Sequence, residues 1–471
     1  MSAKPILVLQ MQRMGDLVLT FPLLLWLQHQ YPGHPIWVVA ERTFFEGLMP
    51  LSPHVTYFPR EAAPLLAKEE YSLVINLSHR PEAAALAGAL HCEHLAGPAT
   101  TAAGTTYIHG KWQLYRASLV HNNRHNLFHW ADLNGLDTVP AALIRSSRWP
   151  DPETDRTDAT KVGVFLGASD PAKRPTVEAW SSLVTALLKR GMKPVLLGGK
   201  ADMPLGSAVA HKTGTAALNL CGRFSLSEFS TLIRTLRCLI TPDTGPMHVA
   251  AWTGTPTLNL SMGYVHPWET GPYQPGHHVL RSSISCNGCW QCKHPSFLCH
   301  KTFSMERVAA LTHALSKKDG TEDISVTPAG QRLYTTTRGA DGLYSLRHAD
   351  GTEITSPRHR LALFWKAFFA SEFGVTASHD AETAFRMLNS VSPQLVPVLK
   401  KQLLGISRDL LPAIKGKSSP AAAPDYWKQH PLFIRPLTGY MQLALFNQEF
   451  SGAAHADALS MIERLLGLAA G

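Results

Sequence analysis

The sequence predicts an α/β protein made of two sheet-and-helix domains, followed by a third, mostly helical segment. Three observations carry this. Short apolar runs alternate with helical stretches from residue 6 onward, the rhythm of a parallel sheet covered by helices. Residues 146–160, rich in Asp, Thr, Pro and Arg, interrupt that rhythm as an interdomain linker does, and the rhythm then starts again. Beyond residue 320 the pattern changes to strand-like alternation and then to helical spacing. The expected units are 1–150, 151–320 and 321–471, in keeping with 471 residues being too long for one ordinary core.

In the first unit, residues 6–9 read as a short buried strand and 12–16 as a turn. Residues 17–30 have helical spacing and stop at Tyr31-Pro32-Gly33. Strands follow at 36–40 and 73–77, and a helix at 126–134 is closed by Gly135. In the second unit, strands at 162–166, 194–197 and 238–240 alternate with helices at 177–189 and 227–235. Asp243-Thr244-Gly245 then turns into a short helix that ends at Gly254, and Pro256 opens another apolar run. Two such domains place a cleft between the carboxyl ends of their sheets, where ligands of these folds bind. In the third unit, 332–354 alternates around Asp341-Gly342 and Asp350-Gly351, the mark of a hairpin. Helices are expected at 361–373, 381–388, 395–410 and 458–468.

A net charge of +9 favours anionic partners, yet no run of consecutive Lys or Arg and no basic–aromatic strip points to a nucleic acid. The apolar run at 6–9 is too short for a signal peptide, and nothing nears the ~20 apolar residues that span a bilayer. Seven cysteines, three of them scattered singly, fit a reducing compartment. The expectation is a cytoplasmic protein, with peripheral contact at the inner membrane left open.

The chemistry concentrates in a few places. A glycine turn at a helix N-terminus offers unpaired N–H groups and the positive end of the helix dipole to a phosphate, which Thr244, Gly245 and His248 would line. The same residues also suit plain helix capping. Asp16, one residue past Gly15 at a strand-to-helix turn, is placed to act as a general base, or simply to meet the orphan amides of the helix. Lys173 and Arg174 follow a strand end and could neutralise a diphosphate, or form a solvated basic loop. Asp202 lies in the loop after Gly198-Gly199, near where a nucleotide would sit. Cys286, Cys289, Cys292 and Cys299 have a spacing open to structural zinc or another metal, to a free-thiol knot or to a redox-sensitive loop. His121, His125 and His129 repeat every four residues and read as surface or cleft histidines rather than metal ligands.

Taken in order, Arg13-Met14-Gly15-Asp16 with the helix after it, the loop at 167–174, Cys221-Gly222 with 226–232, and Asp243-Thr244-Gly245-Pro246-Met247-His248 resemble the heptosyltransferases of glycosyltransferase family nine. The resemblance covers residues 5–318. It implies the two-domain GT-B fold and inverting transfer of a sugar, typically heptose from ADP-heptose, to a cell-envelope glycan such as lipopolysaccharide inner core. It also implies that catalysis requires no metal. Asp16 matches the family's base, while Thr244, Gly245 and His248 match its nucleotide loop. Lys173 falls at the phosphate-binding basic position and Asp202 at the ribose acid. Arg174 is followed by Pro175-Thr176 where the family has Trp-Pro, so Lys173 and Arg174 are not ranked. A nucleotide-sugar epimerase of the same fold and a non-catalytic nucleotide-sugar scaffold remain alternatives, and the acceptor and the role of 321–471 stay open.

Overall fold

The computed structural model describes residues 3–148, 156, 158–286, 289, 292, 294–316, 330–423 and 425–468. Most of the expected linker, 149–155 and 157, lies outside the described residues.

The first sheet has six strands: β1 (Ile6–Gln10), β2 (Ile36–Ala40), β3 (Thr56–Phe58), β4 (Glu70–Asn76), β5 (His91–Thr100) and β6 (Thr106–His109), in the order β3-β2-β1-β4-β5-β6. All are parallel to their neighbours except β6, which returns antiparallel along β5. β1 is buried along its whole length, which is why it reads as an unbroken apolar run rather than an alternating one.

The second sheet has seven strands: β7 (Lys161–Phe165), β8 (Lys193–Leu197), β9 (Cys238–Pro242), β10 (Thr257–Ser261), β11 (His278–Ser282), β12 (Gln331–Arg338) and β13 (Tyr344–His348). Their order is β13-β12-β11-β10-β9-β7-β8. In each sheet the chain leaves one central strand toward one side and later fills the other side, at β1 and at β7. The loops leaving β1, β7 and β9 therefore open at the switch points where ligands of doubly wound sheets bind.

The hairpin expected at 332–354 forms, but β12 hydrogen-bonds antiparallel to β11. It thus extends the second sheet instead of standing with the helices. Of the helices that follow, Pro357–Glu372 and Arg435–Asn447 pack against the first half, and Ser378–Val391, Leu395–Ile414 and Gly452–Leu468 pack chiefly on them and on one another. Phe369 and Phe373 lie 4.7 and 4.9 Å from the rings of Tyr115 and Trp112. Asn447 meets the free edge of β6 as another strand would: its Oδ1 accepts from Ile108 N (2.6 Å) and its Nδ2 donates to Ile108 O (2.9 Å). Among the described residues, no helix is long and apolar enough to cross a membrane.

Candidate functional site

The chain turns sharply after β1. A single helix was expected over 17–30, but the structure has two, Met14–Val18 and Phe21–Gln30. Pro22 explains the break, because it has no N–H to return to the preceding turn and its ring crowds the carbonyl there. The early start puts Asp16 inside the first short helix, where its Oδ2 accepts from Arg13 N at 3.2 Å. Arg13 Nη1 in turn donates to Ser169 Oγ of the second half at 3.2 Å.

Opposite stands the helix Gly245–Trp252, with Thr244 in extended conformation at its N-cap. Thr244 Oγ1 does not cap the helix; it sits 3.4 Å from Thr241 Oγ1. Asp243 Oδ2 accepts from Thr270 Oγ1 at 3.0 Å and so ties the turn to the next loop. The two helix starts touch through their glycines. A Cβ on Gly15 would stand 3.0 Å from His248 Cδ2 and 3.5 Å from the Gly245 Cα. His248 is buried, which pushes its pKa down to about 4 and leaves the ring neutral near pH 7.

Lys173 closes the loop after β7, with Nζ 5.2 Å from the centre of the Tyr264 ring. Arg174 pairs instead with a carboxylate of the cleft, its Nη1 3.8 Å from Asp202 Oδ1. Asp202 also accepts from Gly199 N through Oδ2 at 2.9 Å. A Cβ on Gly167 would fall 2.1 Å from that same oxygen, so the carboxylate occupies the space the glycine leaves.

One cleft of about 870 Å³ gathers Asp16, Lys173, Asp202, Thr244, Gly245 and His248. It is also lined by residues that sequence reasoning passed over, above all Asn123, Trp130 and Glu269. Glu269 is almost fully buried, accepting from Trp130 Nε1 at 2.6 Å and from Asn123 Nδ2. Burial raises its pKa to about 7. The same cause raises that of Asp16, against the pull of Arg116. Behind the wall, Asp132 is wholly buried between the halves. It accepts from Tyr273 Oη (2.5 Å), Tyr344 N (2.9 Å) and Arg338 Nη1 (3.4 Å).

Two expectations are corrected. The helix placed at 126–134 begins only at Trp130, with His129 as its N-cap accepting from Ala131 N. His121 has a positive φ, so the three histidines do not share a helix face. His125 and His129 are buried in the core between the halves rather than at the surface, and His129 Nε2 meets Gly271 O at 3.0 Å. The four clustered cysteines lie close enough for Cys286, Cys292 and Cys299 to add to the effect of burial in raising the Cys289 pKa. Even so, among the described residues no group of three or more His, Cys, Asp or Glu is placed to hold a metal ion. Cys292 Sγ instead faces His294 O at 3.8 Å.

The sequence profile of glycosyltransferase family 9 (heptosyltransferase) matches residues 62–297, half of the chain. The chain belongs to this family. Among curated relatives, it is 30% identical over 125 residues to lipooligosaccharide heptosyltransferase 2 of Haemophilus influenzae and to lipopolysaccharide heptosyltransferase 2 of Escherichia coli. Each match covers 26% of this chain and 36% of the relative, so the chain spans about a third of the length of these curated relatives. Among solved structures, a family 9 glycosyltransferase from Veillonella parvula matches with a TM-score of 0.52 at 22% identity, over 67% of this chain and 98% of the other. The E. coli ADP-heptose lps heptosyltransferase II gives 0.50 at 21%, over 66% and 98%. At such identities the two structures establish the GT-B fold.

Proposed function

We propose that this protein is an inverting glycosyltransferase that moves a sugar, heptose from ADP-heptose, to a hydroxyl of a cell-envelope glycan such as lipopolysaccharide inner core. The observation that carries the reading is the meeting of Asp16 from one half with the N-terminus of helix Gly245–Trp252 from the other, across one cleft. The donor diphosphate lies at Thr244 and Gly245, where the helix dipole and amides stabilise the charge that grows as the glycosidic bond breaks. Lys173 adds a cation at the same place, and Asp202 takes the ribose. Neutral His248 packs behind the turn. Asp16 takes the proton of the acceptor hydroxyl as its oxygen bonds to the anomeric carbon from the face opposite the departing diphosphate.

Arg174, 3.8 Å from the Asp202 carboxylate that lines the cleft, serves by orienting that acid. The acceptor is presented from the cytoplasmic face of the inner membrane. The test is Asp16→Asn, assayed with ADP-heptose and a lipopolysaccharide-core extract. ADP binding should persist while turnover falls about 100-fold or more. Near-normal turnover would refute the assignment of the base, and a new nucleotide-sugar formed without acceptor would identify an epimerase instead.

A further inference from the structure

We propose that Trp130 is a specificity-determining residue for the acceptor: its indole is the platform on which a sugar ring of the glycan packs, and Glu269 is the positioning residue that holds it there. The inference rests on the reading of this protein as a transferase to a glycan.

Trp130 opens the helix Trp130–Gly135, directly after its N-cap His129. Side chains of a helix lean toward its N-terminus, so an indole at this position reaches past the helix end. Three contacts then fix the ring. Nε1 donates to Glu269 Oε1 at 2.6 Å. The Arg116 guanidinium covers one face, 5.0 Å from the ring centre. The His79 and Trp130 rings meet in a T, their centres 6.1 Å apart. The indole is still only half-buried, and it lines the same cleft as Asp16.

An apolar ring held rigid in a polar cleft suits a saccharide. The C–H groups on one face of a sugar pack against the aromatic ring, while the hydroxyls around its rim meet the polar groups nearby. An indole offers that area with only two torsions to freeze. The side of the cleft also fits. Thr244, Gly245, Lys173 and Asp202, which serve the donor, all come from the second half. Trp130 comes from the first half, as Asp16 does, so platform and base address one substrate.

The anchor joins both halves. Glu269 belongs to the second half and is only 3% exposed. A buried carboxyl is costly unless donors meet it, and both donors here line the cleft from the first half: Trp130 Nε1 and Asn123 Nδ2. The next residue, Thr270, donates to Asp243 of the donor turn at 3.0 Å. Contacts therefore run from the donor turn to the indole, and the platform is complete only when the halves are together.

The test reads the ring directly, by ¹⁹F NMR of the full chain labelled with 5-fluorotryptophan, using the resonance that Trp130→Phe removes. The probe is delipidated inner-core oligosaccharide of lipopolysaccharide, added to the ADP-bound protein. The oligosaccharide should shift the Trp130 resonance well beyond its ADP-bound position. A resonance that stays there overturns the proposal. One that ADP alone shifts as far assigns the ring to the adenine, which also overturns it.

Turnover with ADP-heptose and the same oligosaccharide gives a second reading. Trp130→Leu should raise the acceptor KM about 10-fold and leave kcat and the ADP-heptose KM within about 3-fold of wild type. Glu269→Ala should act alike, and the double variant no more strongly than either alone, because both changes remove one platform. Glu269→Gln keeps a carbonyl for the indole N–H, so its acceptor KM should stay within about 3-fold of wild type. A purely structural role for the pair would lower kcat and raise both KM values together, against the proposal. If Trp130→Leu or Glu269→Ala does not fold, the ¹⁹F titration of wild-type protein decides. A shift without turnover would refute the proposed reaction and leave the platform standing; turnover without a shift would do the reverse.

Discussion

Gly167→Ala removes no interaction on paper, yet it should damage the donor half of the cleft. The added Cβ would lie 2.1 Å from Asp202 Oδ2, 2.4 Å from its Cγ and 2.6 Å from its Oδ1. Real contacts of a Cβ stay beyond 3.0 Å, so the carboxylate has to retreat by about an ångström. It cannot do so and keep the 2.9 Å bond from Gly199 N. A hydrogen bond to a charged group is worth about 1.5–3 kcal/mol, and this is the expected loss of folding stability. If Asp202 meets the ribose, ADP affinity falls by a similar energy, roughly 10- to 100-fold. Calorimetric titration with ADP and urea unfolding read the two effects separately. The decisive comparison is with Asp202→Ala and the double variant. Once Asp202 is gone the alanine finds space, so the two costs should fail to add by about 1 kcal/mol or more. Additive costs, or a Gly167→Ala protein with wild-type stability and ADP affinity, would refute the reasoning.

Three further outcomes are expected. Asp132→Ala leaves Arg338, Tyr273 and the Tyr344 amide without their buried acceptor. It should cost about 3–5 kcal/mol in urea unfolding, and a loss below about 1 kcal/mol would count against the clamp between the halves. Glu269 has a folded pKa of about 7, raised above 4.5, so the native state binds its proton more tightly than the unfolded chain. The stability it contributes is complete below pH 4.5 and is lost as the pH rises through about 7, by up to roughly 3 kcal/mol; Glu269→Gln should flatten that decline, and parallel stability curves would refute it. Gly15→Val adds methyl groups beyond a Cβ already 3.0 Å from His248, and should cost about 1–3 kcal/mol in thermal unfolding together with most of the turnover.

The two corners of the cleft were legible in the sequence because each couples a buried apolar strand to a turn of Gly and Asp, at Gly15-Asp16 and at Asp243-Thr244-Gly245. Much of the wall between them was not. Glu269 sits between Pro267 and Gly271, in a stretch that reads as a turn, and only the fold brings Asn123 and Trp130 to it. Arg116 lies in Lys111–Ser118, where Lys111, Gln113, Arg116 and Ser118 alternate with apolar residues and give no sign that a guanidinium goes inward. Nor did β5 declare itself, since His91, Glu93 and His94 leave no apolar run. The Asp-Gly signals did locate the hairpin, but its partner β11 was not read as a strand, so the sequence offered no sheet for it to join. Pro22 was a visible signal for the break after Val18 that the helical spacing of its neighbours concealed.

The segment beyond residue 330 moves the edge of the second sheet outward, from β11 to β13, and sets the Asn447 amide on Ile108 of β6. A shortened protein ending where β12 begins would keep every cleft residue and yet bare the edge of β11, a strand whose residues Val279–Ser282 are buried in the full chain. A bared strand of that kind pairs with strands of other molecules, so the shortened chain is expected to self-associate in gel filtration while its cleft residues stay in place.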